Sequence, residues 1–157
     1  MLSDQVQEKI ERELKKYPAD QKQSAVMSAL RFVQEEKGWI SSDDMADVAA
    51  YLGMPQMVVY EVATFYHMFH LKPAGRHTLT VCTNLSCQLM GANETLDYLK
   101  SKLGVDVGGV SADGKFSLRE AECMGACVEA PLMTVNNNRL CSRLTQEKLD
   151  QILSGLD

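Results

Sequence analysis

The chain has 157 residues, a mean hydropathy of −0.18 and a net charge of −5, so it builds one or two small domains with a real core. Neither half is basic: residues 1–75 carry 8 Lys and Arg against 11 acids, and residues 76–157 carry 8 against 10, which leaves nucleic-acid binding without its electrostatic footprint. The start, Met1-Leu2-Ser3-Asp4-Gln5, lacks a secretory signal layout, and no apolar run approaches the ~20 residues that span a bilayer, so the expectation is a soluble, cytoplasmic protein without direct membrane insertion.

The first half reads as helices. Asp4 with Gln7 suggests a capping box, followed by Val6, Ile10 and Leu14 at i, i+4, i+8 until Tyr17-Pro18. Asp20 with Gln23 opens a second helix that stops at Gly38, with Val26, Ala29, Leu30 and Val33 on one face. Ser41 with Asp44 opens a third that ends at Gly53. Pro55 suits the first turn of a fourth, expected to run to about Phe69. This last helix is apolar nearly all round, which predicts burial on several sides. The same spacing assigns Trp39, Phe65, Tyr66 and Phe69 to the core, against the alternative of a partner surface.

Lys72-Pro73-Ala74-Gly75 reads as a linker, and the period then changes. Residues 77–82 alternate as a strand ending at Cys82. Gly91 to Leu103 is helical with Gly104 as stop, and 115–121 is a second strand. Residues 132–135 and 139–141 flank Asn136-Asn137-Asn138 as a hairpin. Thr145 caps a last helix, with Leu144 and Leu149 as a hydrophobic staple. The order β-α-β-β-β-α predicts an α+β chain: a helical bundle over residues 1–75, then a thioredoxin-like α/β domain with a small mixed sheet over residues 76–157.

Chemistry concentrates in two cysteine pairs. Cys82 and Cys87 form C-x4-C, and Cys123 and Cys127 form C-x3-C. In a reducing compartment such cysteines point to metal ligation rather than to a disulfide framework. Four thiolates suit a 2Fe–2S centre, two for each iron. Gly125 lets the backbone approach such a centre and aim N–H groups at sulfur. Zinc also accepts four cysteines, but its common spacing is C-x2-C, and neither spacer here is two. A colourless, zinc-stapled interaction module therefore stays open as a rival. A thioredoxin-type dithiol would need C-x-x-C, which is absent. Cys141 reads as a small buried hydrophobe. His67, His70 and His77 read as packing or surface residues rather than Rieske ligands. Glu120, Glu122 and Glu129 flank the second pair and should oppose reduction of an anionic centre. There is no G-x-G-x-x-G after a strand and no P-loop, so the chain itself is not expected to bind NADH, and no catalytic residue is assigned.

Asp113 to Ser117 followed by Cys123-Met124-Gly125-Ala126-Cys127 through Ala130-Pro131 resembles the signature of thioredoxin-like 2Fe–2S ferredoxins. Cys82 to Cys87 is similar to their first ligand loop, and Glu61 to Tyr66 to a motif of the helical part. The resemblance covers essentially the whole chain and is strongest to members serving in the peripheral arm of bacterial NADH:quinone oxidoreductase, respiratory complex I. Met124 stands where the signature usually has leucine, a near-isosteric swap. The resemblance implies one 2Fe–2S cluster held by Cys82, Cys87, Cys123 and Cys127, exchanging single electrons. It implies a partner subunit that carries FMN, binds NADH and holds a 4Fe–4S cluster, together with other peripheral-arm subunits. The location implied is cytoplasmic, peripheral to the inner membrane as part of that complex. NAD-linked hydrogenases and formate dehydrogenases use the same module and are the nearest alternative.

Overall fold

A computed structural model describes residues 1–156, which divide into two compact units, Met1–Pro73 and a second that begins at Ala74. The first unit holds four helices: α1 (Asp4–Leu14), α2 (Val26–Lys37), α3 (Ser42–Leu52) and α4 (Gln56–Phe65). A 3-10 turn, Lys22–Ala25, leads into α2. Ile10, Leu30, Ile40 and Val48 are fully enclosed at its centre.

Local chemistry accounts for most boundaries. Ser41 and Asp44 close the expected capping box on α3, and Gly38 and Gly53 end α2 and α3 at positive φ, 82° and 66°. Two expected starts shift. The α1 cap is Ser3, whose Oγ accepts the Val6 N–H at 3.2 Å, while Gln7 turns to the Leu2 carbonyl. Asp20 caps nothing, because the 3-10 turn intervenes and α2 begins without a side-chain cap.

The fourth helix differs most from expectation. It ends at Phe65, and Tyr66 is already extended. The Gln34 side chain donates to the Met68 carbonyl at 2.9 Å and accepts the His70 N–H at 2.6 Å, so tertiary bonds hold 66–70 as a turn. Only Val59 and Ala63 of this helix are buried. Met57, Tyr60 and Phe65 lie in solvent, Phe65 at 80% exposure, while Phe69 is in the core and Trp39 is half-buried. An apolar all-round pattern here marks a surface, not an enclosed helix.

The second unit is a four-stranded mixed sheet, order β2-β1-β3-β4, with helices. Its elements are β1 (His77–Cys82), α5 (Leu85–Leu89), α6 (Ala92–Leu103), β2 (Phe116–Ala121), β3 (Met133–Val135), β4 (Arg139–Cys141) and α7 (Gln146–Ser154). Strands β1 and β2 pair in parallel, and β1–β3 and β3–β4 are antiparallel. Asn136 and Asn137 take φ of 54° and 58° in the β3–β4 turn, a conformation asparagine tolerates. Thr145 caps α7 through the Lys148 N–H, with Leu144 and Leu149 both buried as the staple requires. Gly75 is pinned to β2: its N–H donates to Ser117 Oγ at 2.6 Å, and a Cβ there would lie 2.7 Å from the Phe116 carbonyl carbon. Among the described residues no helix is long and apolar enough to cross a membrane.

Candidate metal centre

Both thiol-bearing loops leave the same end of the sheet. Cys82 closes β1 and pairs with Ala121, the last residue of β2. Because the strands are parallel, Thr83–Asn84 and Glu122–Cys123 emerge side by side. Two bonds tie them: Thr83 N–H to the Ala121 carbonyl at 3.0 Å, and Asn84 Nδ2 to Glu122 Oε2 at 3.0 Å.

The first pair is buried and the second is exposed. Cys82 is held by its N–H to the Leu132 carbonyl at 3.1 Å. Cys87 rides on α5, a five-residue helix that periodicity did not reveal. Ala92, Ala130 and Leu132 pack with these two cysteines, and Met124 and Ala126 of the second loop lie against the same cluster. That small apolar floor joins the two loops.

The thiols sit as two pairs. Cys123 and Cys127 have their Sγ atoms 3.4 Å apart. Cys82 and Cys87 are both buried and pack in one small cluster. Burial, then Cys82, pushes the Cys87 thiol up to about 11, while the Leu132 N–H works the other way. The Gly125 N–H, 3.4 Å from Cys123 Sγ, and then Cys127 hold the Cys123 thiol below its ordinary range. Gly125 makes that bond at φ 79°, a left-handed conformation. Cys127 is raised, first by Cys123, and the charge of Cys82 also reaches it.

Among the described residues no three His, Cys, Asp or Glu side chains draw together around a single metal ion. A two-iron centre takes two thiolates on each iron, so two pairs of thiols at one end of the sheet are a donor set of the kind such a centre would need. The Gly125 N–H aimed at Cys123 Sγ supplies a donor that thiolate sulfur accepts.

The other sequence candidates fall elsewhere. Cys141 is buried in a different core cluster, packed with residues such as Leu79 and Met133. His77 opens β1, at the strand end opposite Cys82, with Asn136 Nδ2 3.3 Å from its Nδ1. His67 and His70 belong to the first unit. Glu120 and Glu122 are exposed and Glu129 is half-buried. A groove of about 850 Å³ in the second unit, crossed by the Lys102–Asp150 ion pair at 2.9 Å, contains no cysteine. One feature escaped the sequence reading: Leu85, Leu89, Met90 and Val128, close in sequence to Cys87 and Cys127, are all exposed, Val128 at 95%. Leu85 and Leu89, at i and i+4 around Cys87, were the available signal.

Comparison with known proteins fits this geometry. The profile of the thioredoxin-like 2Fe–2S ferredoxin family matches residues 10–157. NADH-quinone oxidoreductase subunit 2 of Thermus thermophilus is 39% identical over 98% of this chain and 84% of its own length. A subunit of the NADH-quinone oxidoreductase of Rickettsia bellii is 43% identical over 91% of this chain and 86% of its own. Among solved structures, an NAD+-reducing NiFe hydrogenase superposes on 84% of this chain with a TM-score of 0.71 at 19% identity, and this chain spans 22% of that one.

Proposed function

The chain belongs to the thioredoxin-like 2Fe–2S ferredoxin family, and from that premise we propose that Cys82, Cys87, Cys123 and Cys127 hold its cluster in a one-electron relay subunit of an NADH:quinone oxidoreductase. The observation that carries this reading is the parallel register of Cys82 with Ala121, which brings both thiol loops to one end of the sheet. The cluster domain, residues 76–157, falls within the unit that begins at Ala74, and the helical unit Met1–Pro73 is its extension.

A bound 2Fe–2S cluster takes up and returns one electron at a time. The chain's own residues divide the work of holding it. Cys82 and Cys87, buried on a strand end and a helix, would hold it from within the fold. Cys123 and Cys127, both exposed, would complete its ligation. The Gly125 N–H, aimed at Cys123 Sγ, would stabilise negative charge on that sulfur. An exposed pair of ligands suits electron exchange with another protein.

The partner is the FMN-carrying, NADH-binding subunit, since this sequence has no dinucleotide fingerprint of its own. The exposed Leu85, Leu89, Met90 and Val128 supply an apolar rim for docking it. Other peripheral-arm subunits complete the surroundings, and the complex lies on the cytoplasmic side, peripheral to the inner membrane. Flavin accepts two electrons as hydride, and a one-electron carrier beside it lets them leave singly. A second reading, the same module in an NAD-linked hydrogenase, draws on the fold match alone. The 39–43% identity to quinone oxidoreductase subunits favours the first.

Purified anaerobically, the chain should contain about two irons and two sulfides and absorb in the visible. It should not oxidise NADH alone. A colourless protein carrying stoichiometric zinc would replace this reading with the interaction module.

A further inference from the structure

Cys123 and Cys127 combine two properties. Their sulfurs are 3.4 Å apart, already in van der Waals contact, and both side chains are exposed. Cys82, Cys87 and Cys141 are buried. A disulfide needs sulfurs about 2.05 Å apart, so closing the bond asks the two sulfurs, 3.4 Å apart, to approach by roughly 1.4 Å. The loop between them has room to adjust, since nothing lies within 4 Å of the Cβ position at Gly125.

We propose that in the cluster-free chain Cys123 and Cys127 join as an intramolecular disulfide, so that this bond and the cluster are alternative uses of the same two sulfurs. A dithiol reductant must then open the bond before the site loads. The disulfide stands on geometry alone; its effect on loading rests on the ligand assignment above.

The step balances with a small-molecule disulfide of the glutathione class as oxidant. Cys123 attacks one oxidant sulfur, its thiol proton passes to solvent, the oxidant's S–S bond breaks and one thiolate leaves. Cys127 then attacks the mixed disulfide at the Cys123 sulfur, loses its own proton and expels the second thiolate. Two thiols of the chain are oxidised and the oxidant is reduced to two thiols. A dithiol reverses both exchanges. The closed form also keeps the exposed sulfurs from further, irreversible oxidation.

The sequence separates the three sets of cysteines for measurement. Trypsin cleavage after Arg76, Lys100, Arg119 and Arg139 leaves Cys82 with Cys87 in 77–100, Cys123 with Cys127 in 120–139, and Cys141 apart from both. The full chain is stripped of iron under reductant, equilibrated with mixtures of reduced and oxidised glutathione, alkylated and mapped by mass. The expected result is peptide 120–139 unalkylated and lighter by two hydrogens, with 77–100 alkylated at both thiols. A disulfide forming first in 77–100, or glutathione adducts on 120–139 that never resolve, would overturn the proposal.

A second arm offers oxidised and pre-reduced chains ferrous iron and sulfide, with and without a thioredoxin-class dithiol. The dithiol should speed cluster formation only in the oxidised chain; equal rates in all samples would overturn the gate. Reduced Cys123→Ser and Cys127→Ser chains test ligation by themselves. If they load fully, the ligand assignment fails and the gate with it. If they do not load while 120–139 never closes, the ligands stand and the disulfide is wrong.

Discussion

Cys82 stands directly across the parallel β1–β2 ladder from Ala121. Parallel strands deliver their outgoing loops to the same end, so this one pairing brings two cysteine pairs, distant in sequence, to one end of the sheet. A slip of one residue would turn the side chains of a strand to the other face and separate them.

The register predicts how the five cysteines differ. Serine at Cys82, Cys87, Cys123 or Cys127 should sharply lower bound iron and sulfide. Cys141→Ser should retain both, since Cys141 is packed in a different core cluster. Iron and sulfide analysis of the five variants, purified anaerobically, checks this. Full loss in Cys141→Ser with an intact cluster in any other would reverse the assignment.

Glu122 precedes Cys123 and accepts a hydrogen bond from Asn84 of the facing loop. Adding an electron beside a carboxylate is unfavourable, so Glu122→Gln should raise the reduction potential. The expected rise is roughly tens of millivolts, smaller at high salt because Glu122 is exposed. A redox titration followed by electron paramagnetic resonance at two ionic strengths measures it. A lower potential with unchanged spectra would show that local charge does not set the value.

Asp44 couples the helical unit to pH. Burial alone would raise its carboxyl, but the Lys37 ion pair and the Ser41 hydroxyl and N–H, at 2.6 and 2.9 Å, outweigh it and hold the carboxyl below its ordinary range. A depressed folded-state value means the unfolded chain takes up protons first as pH falls. The stabilisation is complete above the ordinary value of 3.8 and is lost as pH drops through the lower folded value. Asp44→Asn should cost about 1–3 kcal/mol at neutral pH and flatten the acid limb of stability. Urea denaturation between about pH 6 and pH 3 tests both parts; an unchanged acid limb would remove Asp44 from the account.

Gly75→Ala should destabilise the second unit by about 1–3 kcal/mol. The added methyl meets the backbone of Phe116, which cannot rotate away as a side chain can. Gly104→Ala makes a useful contrast: no atom lies within 4 Å of its Cβ position, so its cost should come from its φ of 61°. Thermal denaturation of both separates crowding from backbone strain.

Elements with strong periodicity or turn chemistry were legible in the sequence. The bounds of β1, the end of α6 at Gly104, the Asn turn and the Thr145 cap follow from alternation, left-handed residues and hydroxyl caps. The short helix α5 was not legible. Five residues give no period, and its flanking leucines face solvent rather than a core. The length of α4 was misread for a tertiary reason, because Gln34 bonds the backbone at 68 and 70 and propensity has no view of that. The cysteine spacing marked the donors, but the division into a buried and an exposed pair required the fold. Spacing also said nothing of the 3.4 Å contact between Cys123 and Cys127.

The crossover from Thr83 to Lys115 separates the two paired strands. During synthesis the first thiols therefore leave the ribosome well before the strand that faces them. A chain halted before Phe116 has no β2 to pair with β1, and nothing delivers a second loop to the sheet end. The two thiol loops reach the same end of the sheet only once the crossover has closed and the strands have paired. A centre held by both loops would thus load only after the crossover has closed, and its presence would certify that the non-local β1–β2 pairing is complete.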